Sequence, residues 1–267
     1  MKLMGKVFRF TRLVWATRVV MLLLSVCGAV VCDAAVGVNR FVMLGFPSPT
    51  SRWSGAEYER VAKLLSANDT PVPTIDGSDG EQVFSRMVDL SNLRPAKDVR
   101  ASLSARVNDS LLRQRAIGLI FKRYSAGLMG GAPMRRELPR VIVLMLHSAQ
   151  VLNDAIDELV PTLPHDDNYE AQMASVAQVK RGVEAIYSAM EIGIGADSGF
   201  SMEDRSMMLK SMSECLPGFR SALEAGFRAG FAGKLRIRQA EFTSQTDAAL
   251  IQGMITELER PIPAARS

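Results

Sequence analysis

The sequence predicts an all-α protein, a single irregular bundle of about six to seven helices behind an N-terminal export signal. Three observations carry that expectation. Apolar residues recur at three- and four-residue spacings through most of the region 95–260. Strand signals nearly vanish beyond the turn-rich loop that ends at Gly80. The first 35 residues have the layout of a secretory leader.

In that leader, Lys2, Lys6, Arg9, Arg12 and Arg18 precede a 14-residue uncharged run, Val19 to Cys32, followed by Asp33-Ala34-Ala35. Spanning a hydrocarbon core takes about 20 residues. Lengthening the run through Val38 would bury Asp33, at roughly 2.5–3.5 kcal/mol. Cys32 and Ala34 are small enough for the −3 and −1 positions of a cleavage site. A cleaved signal is therefore expected, with an uncleaved anchor as the alternative. Cys27 and Cys32 each follow a valine, where lipid attachment wants a small residue.

Residues 36–94 read as an irregular arm with short helices. Phe46-Pro47-Ser48-Pro49-Thr50 interrupts any helix there, and a short one is expected around Ala56–Ser66. Asn68-Asp69-Thr70-Pro71 and Asp76-Gly77-Ser78-Asp79-Gly80 read as one turn-rich loop. The bundle domain is expected over 95–260. Pro95 opens its first helix, whose inward stripe includes Ile117, Phe121, Tyr124 and Leu128 before Gly130-Gly131 stops it. Pro133 starts the next, with Pro139 as a kink or as the true start. Its stripe runs Leu138, Val141, Met145, Ala149, Leu152, Ile156, Leu159, and the unbroken apolar run Val141–Leu146 predicts a central helix covered on most sides.

After the loop Pro161–Asn168, a helix carries Met173, Val176, Val179, Val183, Ile186 and Met190. Ser201 followed by Glu203 and Asp204 predicts an N-cap. The helix it opens places Met208, Met212 and Cys215 on one face, and Pro217-Gly218 is expected to break it. A last long helix is expected to hold Ile237, Ala240, Ser244, Ala248, Ile251, Ile255 and Leu258, ended by Pro261 and Pro263.

The leader distorts the bulk properties. It holds five of the 32 basic residues and one of the 28 acids, so 27 of each remain beyond residue 35. A neutral remainder gives no support for nucleic-acid binding. Cys215 is then the sole cysteine, no internal disulfide is available, and an apolar core must hold the fold. Charge is nonetheless polarised along the chain: 94–140 holds eleven basic residues against three acids, and 153–204 eleven acids against Lys180 and Arg181. Complementary outer faces of neighbouring helices explain this, and a basic face for phosphates or anionic lipids is the sharper reading.

The most unusual segment is Leu216–Arg238. Ala222, Gly226 and Gly230 recur every four residues beside Phe219, Phe227 and Phe231. Arg220, Arg228, Lys234, Arg236 and Arg238 face only Glu224. Small residues at this spacing let a second helix approach closely, and phenylalanines flanked by cations seat a helix at an anionic membrane. A packed internal helix with solvated arginines is the competing reading. These ten Phe, Gly, Arg and Lys residues are the candidate membrane or partner surface.

Catalytic and metal motifs are missing. His147, with Asp154 two turns on, and His165, beside Asp166-Asp167, lie in no HExxH, CxxC or Glu-x-x-His pattern, so no metal or cofactor is implied. Gly193–Gly199 lacks the strand that a dinucleotide loop needs. Asp76–Gly80 resembles the start of a calcium loop, but Met87 stands where a glutamate is required. Asn68-Asp69-Thr70 and Asn108-Asp109-Ser110 match glycosylation acceptors. Cys215 reads as a buried, inert thiol.

The function expected is that of an exported (periplasmic or secreted), membrane-associated, non-enzymatic protein. It would act by lipid contact or by docking another envelope protein through Leu216–Arg238 and the basic helix around Arg106–Arg123. A bundle enclosing an apolar ligand between Met145, Met173, Met190, Met208 and Met212 is the first alternative. An enzyme using His147 and Asp154 is the second. N-terminal sequencing of the exported form should read from near Val36; an intact Met1 on exported protein would mean an uncleaved anchor.

Overall fold

The computed structural model describes residues 39–67, 69–93, 102–126 and 134–262. The leader, Asn68, Pro95, Leu128, Gly130-Gly131, Pro133 and Pro263 lie outside these residues. The described chain is all-helical, with no strand. It forms nine α-helices: α1 Arg40–Met43, α2 Gly55–Ser66, α3 Ser78–Met87, α4 Leu103–Ser125, α5 Leu138–Leu159, α6 Tyr169–Ile194, α7 Met202–Phe219, α8 Ala225–Gln239 and α9 Gln245–Glu259. Val38–Ser267 is one compact unit.

The count exceeds the expected six to seven for three local reasons. The first is α1, a single turn whose N-cap Asn39 accepts the Phe41 N–H at 2.9 Å. Around it the chain is drawn inward, with Phe41, Phe46 and Trp53 all buried in the main core. The second is α3, whose first turn, Ser78–Gly80, falls in the stretch expected as loop. Gly77, at φ 111°, supplies the left-handed residue that turns the chain into the helix. Val83, Phe84 and Met87 then bury one face. The third is a break in what was expected as one long last helix. Ser244 is not a stripe residue but the N-cap of α9, its hydroxyl accepting from the Asp247 N–H at 3.3 Å. Ile237, expected inside, is 72 % exposed.

A fourth correction concerns Pro217-Gly218, expected as a break. Helix α7 runs through both to Phe219. A proline this close to a helix end removes one late backbone bond. Leu216 and Phe219, both buried in the core, hold the last turn in place. The Gly218 carbonyl is also bonded by the Asn153 side chain of α5 at 3.3 Å.

At the centre lies α5, packed against α4, α6 and α7. Val141 to Leu146 are all buried, as the unbroken apolar run predicts. Pro139 sits in its first turn, so it marks the start rather than a kink. Helix α4 lies between α2 and α5, while α9 closes the other side against α7 and α8. Each fully covered Leu, Ile, Phe or Met contributes about 1.5–3 kcal/mol relative to exposure. A satellite cluster of Val107, Leu152, Ala155 and Ile156 lies apart from the main core.

Two polar networks tie the ends. At one, buried Asn92 accepts from the Trp53 N–H at 3.0 Å and donates to the Tyr58 hydroxyl and the Arg86 carbonyl. At the other, Arg238 bonds Glu191 at 2.7 Å and Glu241 at 2.8 Å, and buried Arg205 bonds Glu241 and the Ile194 carbonyl. Bonds to Glu241 and then Glu191 hold the Arg238 guanidinium firmly protonated. Burial pushes Glu241 up, but bonds from Arg238 and the Ala196 N–H outweigh it and leave its pKa lowered. Gly195 lets this network close, since a Cβ there would sit 2.6 Å from Arg238 Nη1. Gly195→Ala should therefore lower stability by about 1–3 kcal/mol in thermal or denaturant melts, through the displaced Arg238.

Candidate functional site

The candidate segment Leu216–Arg238 is the end of α7, a turn, and α8. Phe219 and Phe231 are buried, and Phe227 is half-buried and stacked on Phe231 at 5.4 Å. Tyr187 of α6 meets Phe219 and Phe231 edge-on, at 5.9 and 5.6 Å. Phe219 and Phe231 therefore belong to the interior, and Phe227 lies at its edge.

The cations of the segment are occupied as well. Arg220 pairs with Glu257 at 3.3 Å, Lys234 with Glu191 at 3.7 Å, and Arg236 with Glu259. Arg228 donates to the Leu258 carbonyl at 3.1 Å, and Arg238 is held in the network with Glu191 and Glu241. The sequence showed only Glu224 nearby because the neutralising acids come from α6, α9 and the loop after α8. What α8 leaves open is its glycine side. A Cβ added at Gly226, Gly230 or Gly233 meets nothing within 4 Å. Within this chain, then, these glycines serve no close helix approach.

The exposed apolar and basic face lies instead on α4. Its inner side buries Val107, Ser110, Arg113, Ile117, Ile120 and Tyr124. Its outer side presents Leu111, Leu112 and Leu119, at 40, 48 and 45 % exposure. Arg115 and Lys122 alternate with Leu112 and Leu119 at three- and four-residue steps, and both are exposed. Among the described residues, the ion pairs of α4 are Arg106–Glu158 at 2.7 Å and Arg113–Asp109 at 2.7 Å, and neither Arg115 nor Lys122 takes part. The inward stripe of this helix, through Ile117 and Tyr124, does not by itself point to these leucines. The signal was present: 112, 115, 119 and 122 fall opposite 110, 113, 117, 120 and 124 on a helical wheel.

The chain matches no family model, no curated protein and no solved structure.

His147 and Cys215 face each other, with Sγ 3.5 Å from Nδ1. Burial, then Glu214 and Asp154, pushes the thiol up to about 12. Burial lowers the His147 pKa against the pull of Glu214. The pair is thus a neutral thiol beside a neutral imidazole at pH 7, the reverse of an activated thiolate. Asp154 answers to other groups: burial, Asp157 and Glu158 raise it. His165 is exposed and rests on the Tyr169 ring at 4.2 Å.

The calcium-like stretch is committed elsewhere. Asp76 pairs with Arg136 at 2.6 Å, and Asp79 accepts the Arg40 N–H at 2.9 Å. A polar cleft of about 220 Å³ beside them is lined by Arg40, Phe41, Thr74 and residues 76–80. Among the described residues no three His, Cys, Asp or Glu side chains gather to hold a metal ion. Of the methionines suggested as a ligand lining, Met190, Met208 and Met212 are fully covered in the main core, while Met173 lies half-buried on α6. Asn108-Asp109-Ser110 lies inside α4, with Ser110 buried.

Because a methyl at Gly230 meets only open space, Gly230→Ala should raise stability by up to about 1 kcal/mol, the helix preference of alanine. A fall in melting temperature would show that the open side of α8 is covered by something in solution.

Proposed function

We propose that this chain is an exported, non-enzymatic helical protein that works at a membrane surface, with the outer face of α4 as its lipid contact. The observation that carries this reading is the alternation of exposed Leu111, Leu112 and Leu119 with Arg115 and Lys122 on one side of a helix fixed to the bundle by its other side. Leucines at that depth enter the acyl boundary, and each nearby cation gains about 1 kcal/mol at an anionic surface. The helix is already formed and anchored, so binding does not have to meet the entropy of folding it. No described helix is long and apolar enough to cross a membrane, so contact from one side is the mode considered.

Docking of another envelope protein is the second reading. The open side of α8 favours it, where Gly226, Gly230 and Gly233 leave room for a helix backbone and Ile237 stands exposed beside them. The cations of α8, each already held by a carboxylate or carbonyl of the chain, favour a protein there over an anionic bilayer.

Vesicle flotation of residues 36–267 tests the first reading. Anionic vesicles should carry the protein up and neutral ones much less. Leu112→Glu with Leu119→Glu should weaken binding about tenfold or more, since each burial forgone is worth on the order of 1.5–3 kcal/mol. Equal failure to float with either vesicle would sink the lipid reading.

A further inference from the structure

We propose that the first half of α6, Tyr169 to Arg181, is a hinged arm that lifts at Gly182 when the α4 face meets a bilayer, adding apolar surface to that contact. This rests on the reading of α4 as the lipid surface and deepens it.

The two halves of α6 are held very differently. From Val183 to Ile194 the helix buries Val183, Ile186, Tyr187, Met190, Glu191, Gly193 and Ile194. From Tyr169 to Gly182 it buries no residue, and Met173, Val176 and Val179 are only half-covered. Val176 and Val179 rest on the four-residue satellite cluster, not on the main core. Among the described residues one ion pair ties this half to the rest, Lys180–Asp157, at a long 3.8 Å and partly exposed. The Gln172 side-chain oxygen is shielded there without a donor, so the closed seat is imperfectly matched.

Both ends of the arm can pivot. Gly182 falls where burial begins, and a Cβ there would meet nothing within 4 Å, so packing does not require the glycine. In a helix interior only proline is less favourable. At the other end Asn168 provides no side-chain cap, and 164–168 is an exposed loop. Low local burial with few polar ties is the condition under which a segment opens on its own.

What opening uncovers fits the surface already described. The satellite cluster contains Val107, which lies one helical turn before Leu111 on α4. Lifting the arm uncovers the side of the satellite cluster on which Val176 and Val179 rest, a cluster that reaches α4 at Val107. The arm then offers its own apolar side, Met173, Val176 and Val179, as an amphipathic helix does to a bilayer.

Quenching by nitroxide-labelled acyl chains tests this. Residues 36–267 keep one native thiol, buried and weakly acidic, so an introduced surface cysteine can be labelled selectively. Fluorophores are placed in separate variants at Leu112→Cys, Met173→Cys and Val176→Cys, the last two guarding against one failing to fold. With anionic vesicles, quenching is expected at all three positions. Gly182→Ala should reduce it at 173 and 176 and leave 112 unchanged. Quenching at 112 with none at 173 or 176 overturns the arm and leaves the α4 surface standing. No quenching at 112 overturns the functional reading itself. In solution, amides 172–181 should exchange about tenfold faster than 186–194. Equal exchange in the two halves overturns the hinge whatever the vesicles show.

Discussion

Six consecutive apolar side chains, Val141 to Leu146, leave the first half of α5 no face that water can touch, and the rest of the bundle is arranged to cover it. A helix that is apolar all round has to be surrounded. Helices α4, α6 and α7 supply the surrounding walls, and α2 and α9 cover the walls in turn. The segment before α2 is drawn in by the same demand, bringing Phe41, Phe46 and Trp53 to the core although its prolines forbid a long helix. The second half of α5, with Asp154, Asp157 and Glu158, makes no such demand, and the packing thins there to a satellite cluster of four residues.

That thinning connects stability to the proposed action. Where α5 is apolar all round, α6 and α7 are locked to it by deep burial. Where α5 becomes amphipathic, the facing half of α6 is only half-covered. That half of α6 thus rests on the cluster to which Val107 of α4 belongs, one turn before exposed Leu111. A surface that must remain compatible with water and also meet lipid is best kept small in the free protein and enlarged on contact. Polar networks hold other parts of the fold: Asn92 among Trp53, Tyr58 and Arg86, and Arg238 with Arg205 among Glu191 and Glu241.

Electrostatics separates two helices that look alike in sequence. Both α4 and α8 are rich in basic and bulky apolar residues. In α8 every cation of the candidate segment finds a carboxylate or carbonyl within the chain, and its phenylalanines turn inward. In α4 the inward arginine, Arg113, is paired with Asp109, whereas Arg115 and Lys122 stand outward between leucines. The same composition gives a latch in one case and a surface in the other.

By itself the sequence determined the all-helical class, the central place of Val141–Leu146, the Ser201 cap and the inward Met208–Met212–Cys215 stripe, because periodicity and capping are local. It also held the outward leucines of α4, legible on a helical wheel. Local reading failed at Asp76–Gly80 and Pro217-Gly218, where turn-forming residues were overruled by buried Phe84 and Met87 in one case and Leu216 and Phe219 in the other. It failed again at Ser244, a cap mistaken for a stripe residue. Which arginines were free was decided only by the tertiary structure. Glu191, Glu257 and Glu259 lie far along the chain from the cations they neutralise, and ion pairing depends on distance in space rather than on separation in sequence.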